Sequence, residues 1–469
     1  MKIKRLEIQN FHGISDLSLE FQANEPTVLI GINGVGKSSI LDCIAILLSQ
    51  FTGRLQDTLS MRFFSEHDIM NGRQQLHCSI TVAFEDERQI TWSLQKQRVS
   101  SVRDVRTTGM KRLEAIKSVL YDVNEEQLQS LNQKRNELTK ALQAFTVALD
   151  LFEEEDNQNQ TLSNLEAYTD ELLTQLSTSK VNLPVAVSYP VNRAVLEMPL
   201  DMTQENIFSQ VNAYEQALTG GRIDFKGFFE WFRNREDLEN ELRRDNPNYR
   251  DKHLEAVRNA IYSLQPDFTN LRVIRSSLQM MVTKQGSELI VNQLSDGEKC
   301  LLAVVGDLAR RLATANPYLD NPLTGSGVVL IDEIELHLHP KWQREIIPSL
   351  ARTFPNCQFI VSTHSPQIVS HVKPDNIYVI TATPDGIIFQ QPENSFGRDS
   401  NQILEDLMGV SERPQEVKKS LSDLFKLIEE GNLETAKQLR QNLASKIGED
   451  DPEFVRADVM IRRKEILNR

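Results

Sequence analysis

The sequence predicts an α/β protein, and three apolar runs carry that prediction. Thr27–Ile30 (TVLI), Val328–Ile331 (VVLI) and Gln358–Ser362 (QFIVS) are short and nearly free of charge. A polar turn follows the first two, and a helical pattern follows each turn, as expected of buried strands alternating with helices. A long stretch rich in Leu, Gln, Glu and Lys separates the first run from the other two, and a charged helical pattern closes the chain.

Taken in order, Ile3, Leu6 and Ile8 start a first strand, and Leu17, Leu19 and Phe21 alternate as a second. Thr27–Ile30 is the third, followed by the glycine-rich Gly31–Ser38 and an apolar helix through Leu48. Leu76–Phe84 and Arg88–Leu94 read as a hairpin. No proline occurs between Pro26 and Pro184. Within that stretch Leu138, Leu142, Phe145, Leu149 and Phe152 recur at 4-3-4-3 spacing, a coiled-coil seam. The polar run Glu153–Gln160 interrupts it, and apolar spacing resumes at Leu162, Leu165, Leu172 and Leu176. This pattern predicts an antiparallel helical hairpin with its tip near Asp156 and arms of roughly 40 Å, unless it is an ordinary helical subdomain.

Val181–Tyr189 returns to strand composition, and residues 204–265 are mainly helical in pattern. Leu271–Ile274 and Glu288–Val291 read as strands, followed by a glycine turn and a long apolar helix. A helix near 341–353 lies between the last two apolar runs, and helices follow from about Ser400. No fixed-period repeat is present.

The bulk numbers exclude several classes. The chain has 469 residues, 40% hydrophobic and 25% charged, the composition of a globular protein with two or three domains or one interrupted domain. No window reaches the roughly 18 apolar residues of a membrane span, and the start lacks a signal-peptide core, which places the chain in the cytoplasm. A net charge of −14 argues against coating nucleic acid through global charge, although a local basic groove remains compatible with it. Cys43, Cys78, Cys300 and Cys357 form no C-x-x-C pair and read as buried reduced thiols.

Three motifs carry chemistry. GINGVGKSS begins at Gly31 and fits G-x-x-x-x-G-K-[ST] between a strand and a helix. Its backbone amides and helix N-terminus suit a phosphate, with Lys37 reaching the β/γ-phosphates and Ser38 a Mg²⁺ ligand. The candidate nucleotide-binding residues are Gly31, Asn33, Gly34, Gly36, Lys37, Ser38 and Ser39. GVVLIDEIE puts Asp332 at a strand end, where it would hold Mg²⁺, and Glu333 beside it, where it would orient or deprotonate water. QFIVSTHSP ends a third strand near His364, a candidate contact to the γ-phosphate or the water. Asp68, in FFSEHDI, is a candidate lid residue.

Together these parts resemble the ABC-type ATPase heads of the SMC and RecF group. In that group LSDGEK, here Leu294–Lys299, corresponds to the signature motif, which caps the γ-phosphate of ATP bound to a second head. The resemblance therefore implies a homo-oligomer built on head-to-tail dimers, with Ser295, Asp296, Gly297 and Glu298 meeting nucleotide in trans. Asp296 replaces the first glycine of the commonest signature. Without a second head, Ser295 or Asp296 is simply a helix cap. ELHLHP, Glu335–Pro340, resembles a segment of RecF-like heads; His337 and His339 read as dimer-contact or packing residues rather than metal ligands.

The predicted organisation is an ABC-type (RecF/SMC-like) P-loop head in two parts, 1–95 and 181–395, an inserted helical hairpin at 96–180, and a helical tail at 396–469 for assembly or partner docking. The hairpin is too short for an SMC arm, and the tail too short and helical for a Toprim nuclease. The whole resembles the PtuA-like ATPases of Septu antiphage systems, also found beside some retrons. That likeness implies ATP and Mg²⁺ as cofactors, an HNH nuclease subunit (PtuB-like) as partner, DNA contacted through the complex, and ATP turnover that need not be fast. Two other readings are a RecF-like repair ATPase acting directly on DNA, and a nucleotide-dependent scaffold with negligible turnover.

Overall fold

A computed structural model describes residues 1–22, 25–56, 60–98, 159–191, 209–221, 223–383 and 386–467. Two compact units emerge, Met1–Gly397 and Arg398–Arg469.

Among the described residues the first unit contains three sheets. Strands β1 (Lys2–Phe11), β2 (Ile14–Glu20), β4 (Gln75–Ala83) and β5 (Gln89–Gln97) form an antiparallel sheet in the order β2-β1-β4-β5. Ile3 and Leu6 both face the core although they are three residues apart. A register shift between Ile3 and Arg5 explains this, since a bulge restores the inward face after one extra residue.

The second sheet has the order β13-β12-β3-β11-β10-β6, with β3 (Thr27–Gly31), β6 (Val185–Tyr189), β10 (Gly327–Ile331), β11 (Cys357–Ser362), β12 (Ile377–Thr383) and β13 (Gly386–Gln390). All its pairs are parallel except β12–β13. Every residue of β10 and β11 is buried, as strands covered on both faces require, which is why these runs are apolar without alternation. Neither β12 nor β13 was singled out in the sequence. A third, small sheet joins β7 (Phe268–Ile274), β8 (Gln279–Lys284) and β9 (Ser287–Ile290), and of these β8 escaped the sequence reading.

Helix α1 (Lys37–Gln56) leaves the loop after β3 and is buried along most of its length. Helix α2 (Asn159–Thr178) carries the second of the two apolar runs. Its residues Leu162, Leu165, Tyr168 and Leu172 are buried, and the helix packs on α1 and β5. Tyr168 lies 4.2 Å from the Phe84 ring, and Arg88–Glu171 (2.6 Å) and Arg54–Glu166 (3.0 Å) pin the helix. A 3.6-residue apolar period states that a face is covered, not by what. The 138–152 seam and the tip near Asp156 lie outside the described residues.

Helices α3 (Phe225–Leu242) and α4 (Lys252–Leu264) pack with α5 (Asp296–Ala315), and α6 (Pro340–Thr353) links β10 to β11. The second unit holds α7 (Ser400–Asp406), α8 (Gln415–Glu430), α9 (Leu433–Ile447) and α10 (Pro452–Leu467). Leu424, Ile428, Ala436, Leu443, Phe454 and Ala457 form its core.

Candidate active site

Parallel sheets place the ends of their strands on one edge, and ligands of such folds sit in the crevice outside the carboxyl ends. Neighbouring strands β3, β11 and β10 here deliver three groups to that edge: the loop before Lys37, His364, and Asp332 with Glu333. The residues singled out in these three motifs are thereby brought together, although they span Gly31 to His364.

Glycine is needed in the loop at Gly34, where φ is +83°, and a side chain there would point into open space. Ile32, Asn33, Gly34 and Ser38 are exposed, while Val35 between them is buried. Lys37 is buried, and its Nζ donates to the Gly31 and Ile32 carbonyls at 2.9 and 3.0 Å. Burial pushes its pKa below the usual lysine value, against the opposing fields of Asp332, Glu333 and Glu335. Those carboxylates favour the charged form without fully offsetting its desolvation.

The Asp332–Glu333 turn is held from three sides. The Asp332 N–H donates to Tyr189 O at 3.0 Å. Ser362 Oγ donates to the Asp332 carboxylate and accepts from the Glu333 N–H at 2.8 Å. The Ile334 N–H reaches Ser362 O at 3.1 Å. Glu333 has φ +46°, uncommon for a non-glycine residue, and this network holds it there. Glu335 closes the arrangement on the histidine side. Its carboxylate accepts from Thr363 Oγ1 at 2.7 Å and from the His364 N–H at 2.5 Å. His364 is half-buried.

Asp68 reaches this region through a residue the sequence did not flag. His12 bonds Ser39 Oγ through Nδ1 and Asp68 Oδ1 through Nε2, both at 3.0 Å. The tautomer of His12 sets which of the two nitrogens donates and which accepts. Burial alone would raise the Asp68 pKa; hydrogen bonds from Ser65 and His12 outweigh it and lower the value. Asp68 thus braces the first turn of α1 through His12 and Ser39. His12, Ser362 and Glu335 are the residues missed; only the position of Ser362 at a strand end beside His364 was available as a signal.

The 294–299 turn is a distinct construction. Ser295 caps α5, accepting from the Glu298 N–H at 3.4 Å, while the Glu298 carboxylate accepts from Ser295 N at 3.0 Å and Oγ at 2.7 Å. This is a capping box, which satisfies orphan helix donors within the chain. Lys284 pairs with Glu298 at 2.6 Å. Burial would raise the Glu298 pKa, but the Lys284 and Ser295 bonds lower it. Gly297 is explained by its own chain: an added Cβ would lie 2.4 Å from His337 O and 3.3 Å from the Trp342 ring. Asp296 is the exposed acidic residue of the turn, its side chain 72% accessible. The Glu298 carboxylate is held within its own chain by Lys284 and Ser295. His339 caps α6, its Nδ1 accepting from the Lys341 N–H at 3.2 Å. Among the described residues no group of three His, Cys, Asp or Glu is placed to hold a metal ion. All four cysteines are buried, and burial pushes the Cys357 thiol up to about 12.

Strand order, the loop before α1 and the paired strand ends define a P-loop ATPase domain of the α/β class. Residues 1–369 match the AAA ATPase domain family, and the chain belongs to it. It is 30% identical to the Retron Ec83 probable ATPase of Escherichia coli, over 99% of this chain and 87% of that protein. The Retron Vc95 probable ATPase of Vibrio cholerae is 28% identical over 88% of this chain and 80% of its own length. The Septu protein PtuA of Bacillus thuringiensis is 26% identical over 34% of this chain and 42% of that protein. Among solved structures, the SMC head domain from Thermotoga maritima overlays with TM-score 0.37 and 12% identity, covering 84% of this chain and 100% of that one. Among the described residues no helix is long and apolar enough to cross a membrane.

Proposed function

We propose that this protein binds and hydrolyses ATP as part of an antiphage defence system, and that its nucleotide state regulates a separate HNH nuclease. The observation that carries the ATPase part is the convergence of Lys37, Asp332, Glu333 and His364 at the carboxyl edge of one parallel sheet. The defence assignment rests on likeness to the retron and Septu proteins.

Each residue has a role fitted to its surroundings. The backbone amides of the Asn33–Gly36 turn and the N-terminus of α1 would cradle phosphates. Lys37 would exchange its loop carbonyls for β/γ-phosphate oxygens. The Ser38 hydroxyl and Asp332 carboxylate are hard oxygen donors that fit Mg²⁺, which would neutralise phosphate charge. Glu333 would accept a proton from the attacking water, and His364, its backbone held by Glu335, would contact the γ-phosphate. In trans, Ser295 and Gly297 of a second copy would close over the nucleotide, making the functional unit a head-to-tail dimer.

The test combines turnover with a tagged pull-down from the native host, with native mass measured with and without ATP. The expected result is turnover reduced about a hundredfold or more by Glu333→Gln, and an HNH protein recovered at fixed stoichiometry. Equal hydrolysis by wild type and variant would remove the catalytic assignment. An ATP-dependent dimer that brings down DNA and no nuclease would replace the defence reading with direct action on DNA.

A further inference from the structure

Outside the strand-end site, the strongest unexplained feature is a buried charge cluster in the middle of α5. Asp307, Arg310, Arg311 and Tyr189 are each no more than 5% exposed. Arg310 Nη2 and Arg311 Nε donate to the two Asp307 oxygens at 2.7 and 2.6 Å, and Tyr189 Oη donates to Asp307 Oδ2 at 3.0 Å. Arg311 Nη1 also donates to Ala213 O and Glu215 O, at 2.7 and 2.9 Å. Burying such ions costs several kcal/mol each before pairing, and apolar replacements of similar volume are often at least as stable. Stability alone is therefore a weak reason for the cluster.

Its location supplies a stronger one. Tyr189 is the last residue of β6, paired with Ile331 of β10. Its side chain bonds α5 through Asp307, while its backbone carbonyl accepts the Asp332 N–H at 3.0 Å. One residue thus joins the helix that begins at the 295–298 turn to the turn carrying Asp332 and Glu333. Asp307 is about 18 Å along α5 from Ser295, a span a regular helix crosses as a stiff rod.

We infer that Tyr189 is a positioning residue, which sets the Asp332–Glu333 turn relative to α5 so that occupancy of the 295–298 turn is felt at the catalytic carboxylates. This inference rests on the ATPase reading above. It gives the trans contact a physical route into the hydrolytic site of its own chain: Ser295, helix α5, Asp307, Tyr189, Asp332.

Tyr189→Phe tests it, since the ring still fills its site and Asp307 keeps both arginines. Expected is a kcat reduced about three- to tenfold, with ATP affinity within about twofold of wild type and a Tm lowered by no more than the few degrees that one lost buried hydrogen bond accounts for. A double-mutant cycle supplies the readout that a purely structural role does not move. Ser295→Ala should lower kcat less in the Tyr189→Phe background than in wild type. Additive effects, an unchanged kcat, or a kcat that falls only together with Tm and ATP affinity would each overturn the inference. A wild-type protein with no turnover at all would instead overturn the ATPase reading first, and this inference with it.

Discussion

Helices α1 and α5 both begin beside serine and glycine, yet their N-termini are built for opposite ends. The first turn of α1 has no acidic residue, and the preceding Gly34 faces open space. The first turn of α5 carries Asp296 and Glu298, and Gly297 is pressed on the His337 carbonyl. One terminus keeps its partial positive charge for an outside anion. The other spends its cap on its own chain through Ser295 and Glu298. A phosphate arriving at α5 therefore meets the Ser295 hydroxyl only after that hydroxyl leaves Glu298, whereas α1 requires only that Lys37 turn from its loop carbonyls.

This contrast can be broken or sharpened by substitution. The largest effect belongs to Lys37→Ala, expected to weaken nucleotide binding by about a hundredfold; titration with a fluorescent ATP analogue reads it, and unchanged affinity would remove the phosphate assignment from α1. Ser295→Arg should abolish turnover and ATP-driven dimerisation while ATP affinity stays within about twofold. Surviving turnover would leave Ser295 a helix cap and nothing more.

Smaller effects separate the two glycines. Gly297→Ala forces a Cβ against backbone and should cost about 1–3 kcal/mol, measured by denaturant unfolding. Gly34→Ala meets no neighbour and should cost only the left-handed backbone penalty of about 1–2 kcal/mol. If Gly297→Ala proves the milder of the two, the packing account of the α5 turn is wrong.

The smallest effect is that of Glu298→Gln, about 1 kcal/mol at neutral pH. Glu298 has a lowered folded-state pKa, so its contribution is full above the unfolded carboxyl value. It is lost as pH falls through the lowered folded value. The Tm difference between wild type and variant should therefore shrink on acidification; a gap that widens toward low pH would reject the capping-box ion pair as its source.

What the chain announced in advance is what depends on local pattern. GINGVGKSS after an apolar strand, Asp-Glu after VVLI and histidine after QFIVS are runs whose conformation and chemistry lie within about ten residues. The α5 cap is equally local, since Ser295 and Glu298 are three residues apart. Even the first-strand spacing of Ile3, Leu6 and Ile8 pointed inward correctly, with a bulge absorbing the odd step.

Tertiary structure alone decided the partners. His12 meets Asp68 across 56 positions, and Tyr189 meets Asp307 across 118. The apolar face of α2 is covered by α1 and β5, neighbours its spacing does not name. Gly297 sits against the His337 carbonyl, 40 positions along the chain. The physical reason is common to all four. A side chain states what kind of contact it needs, but which group satisfies that need depends on strand order and helix placement, where residues distant along the chain become adjacent.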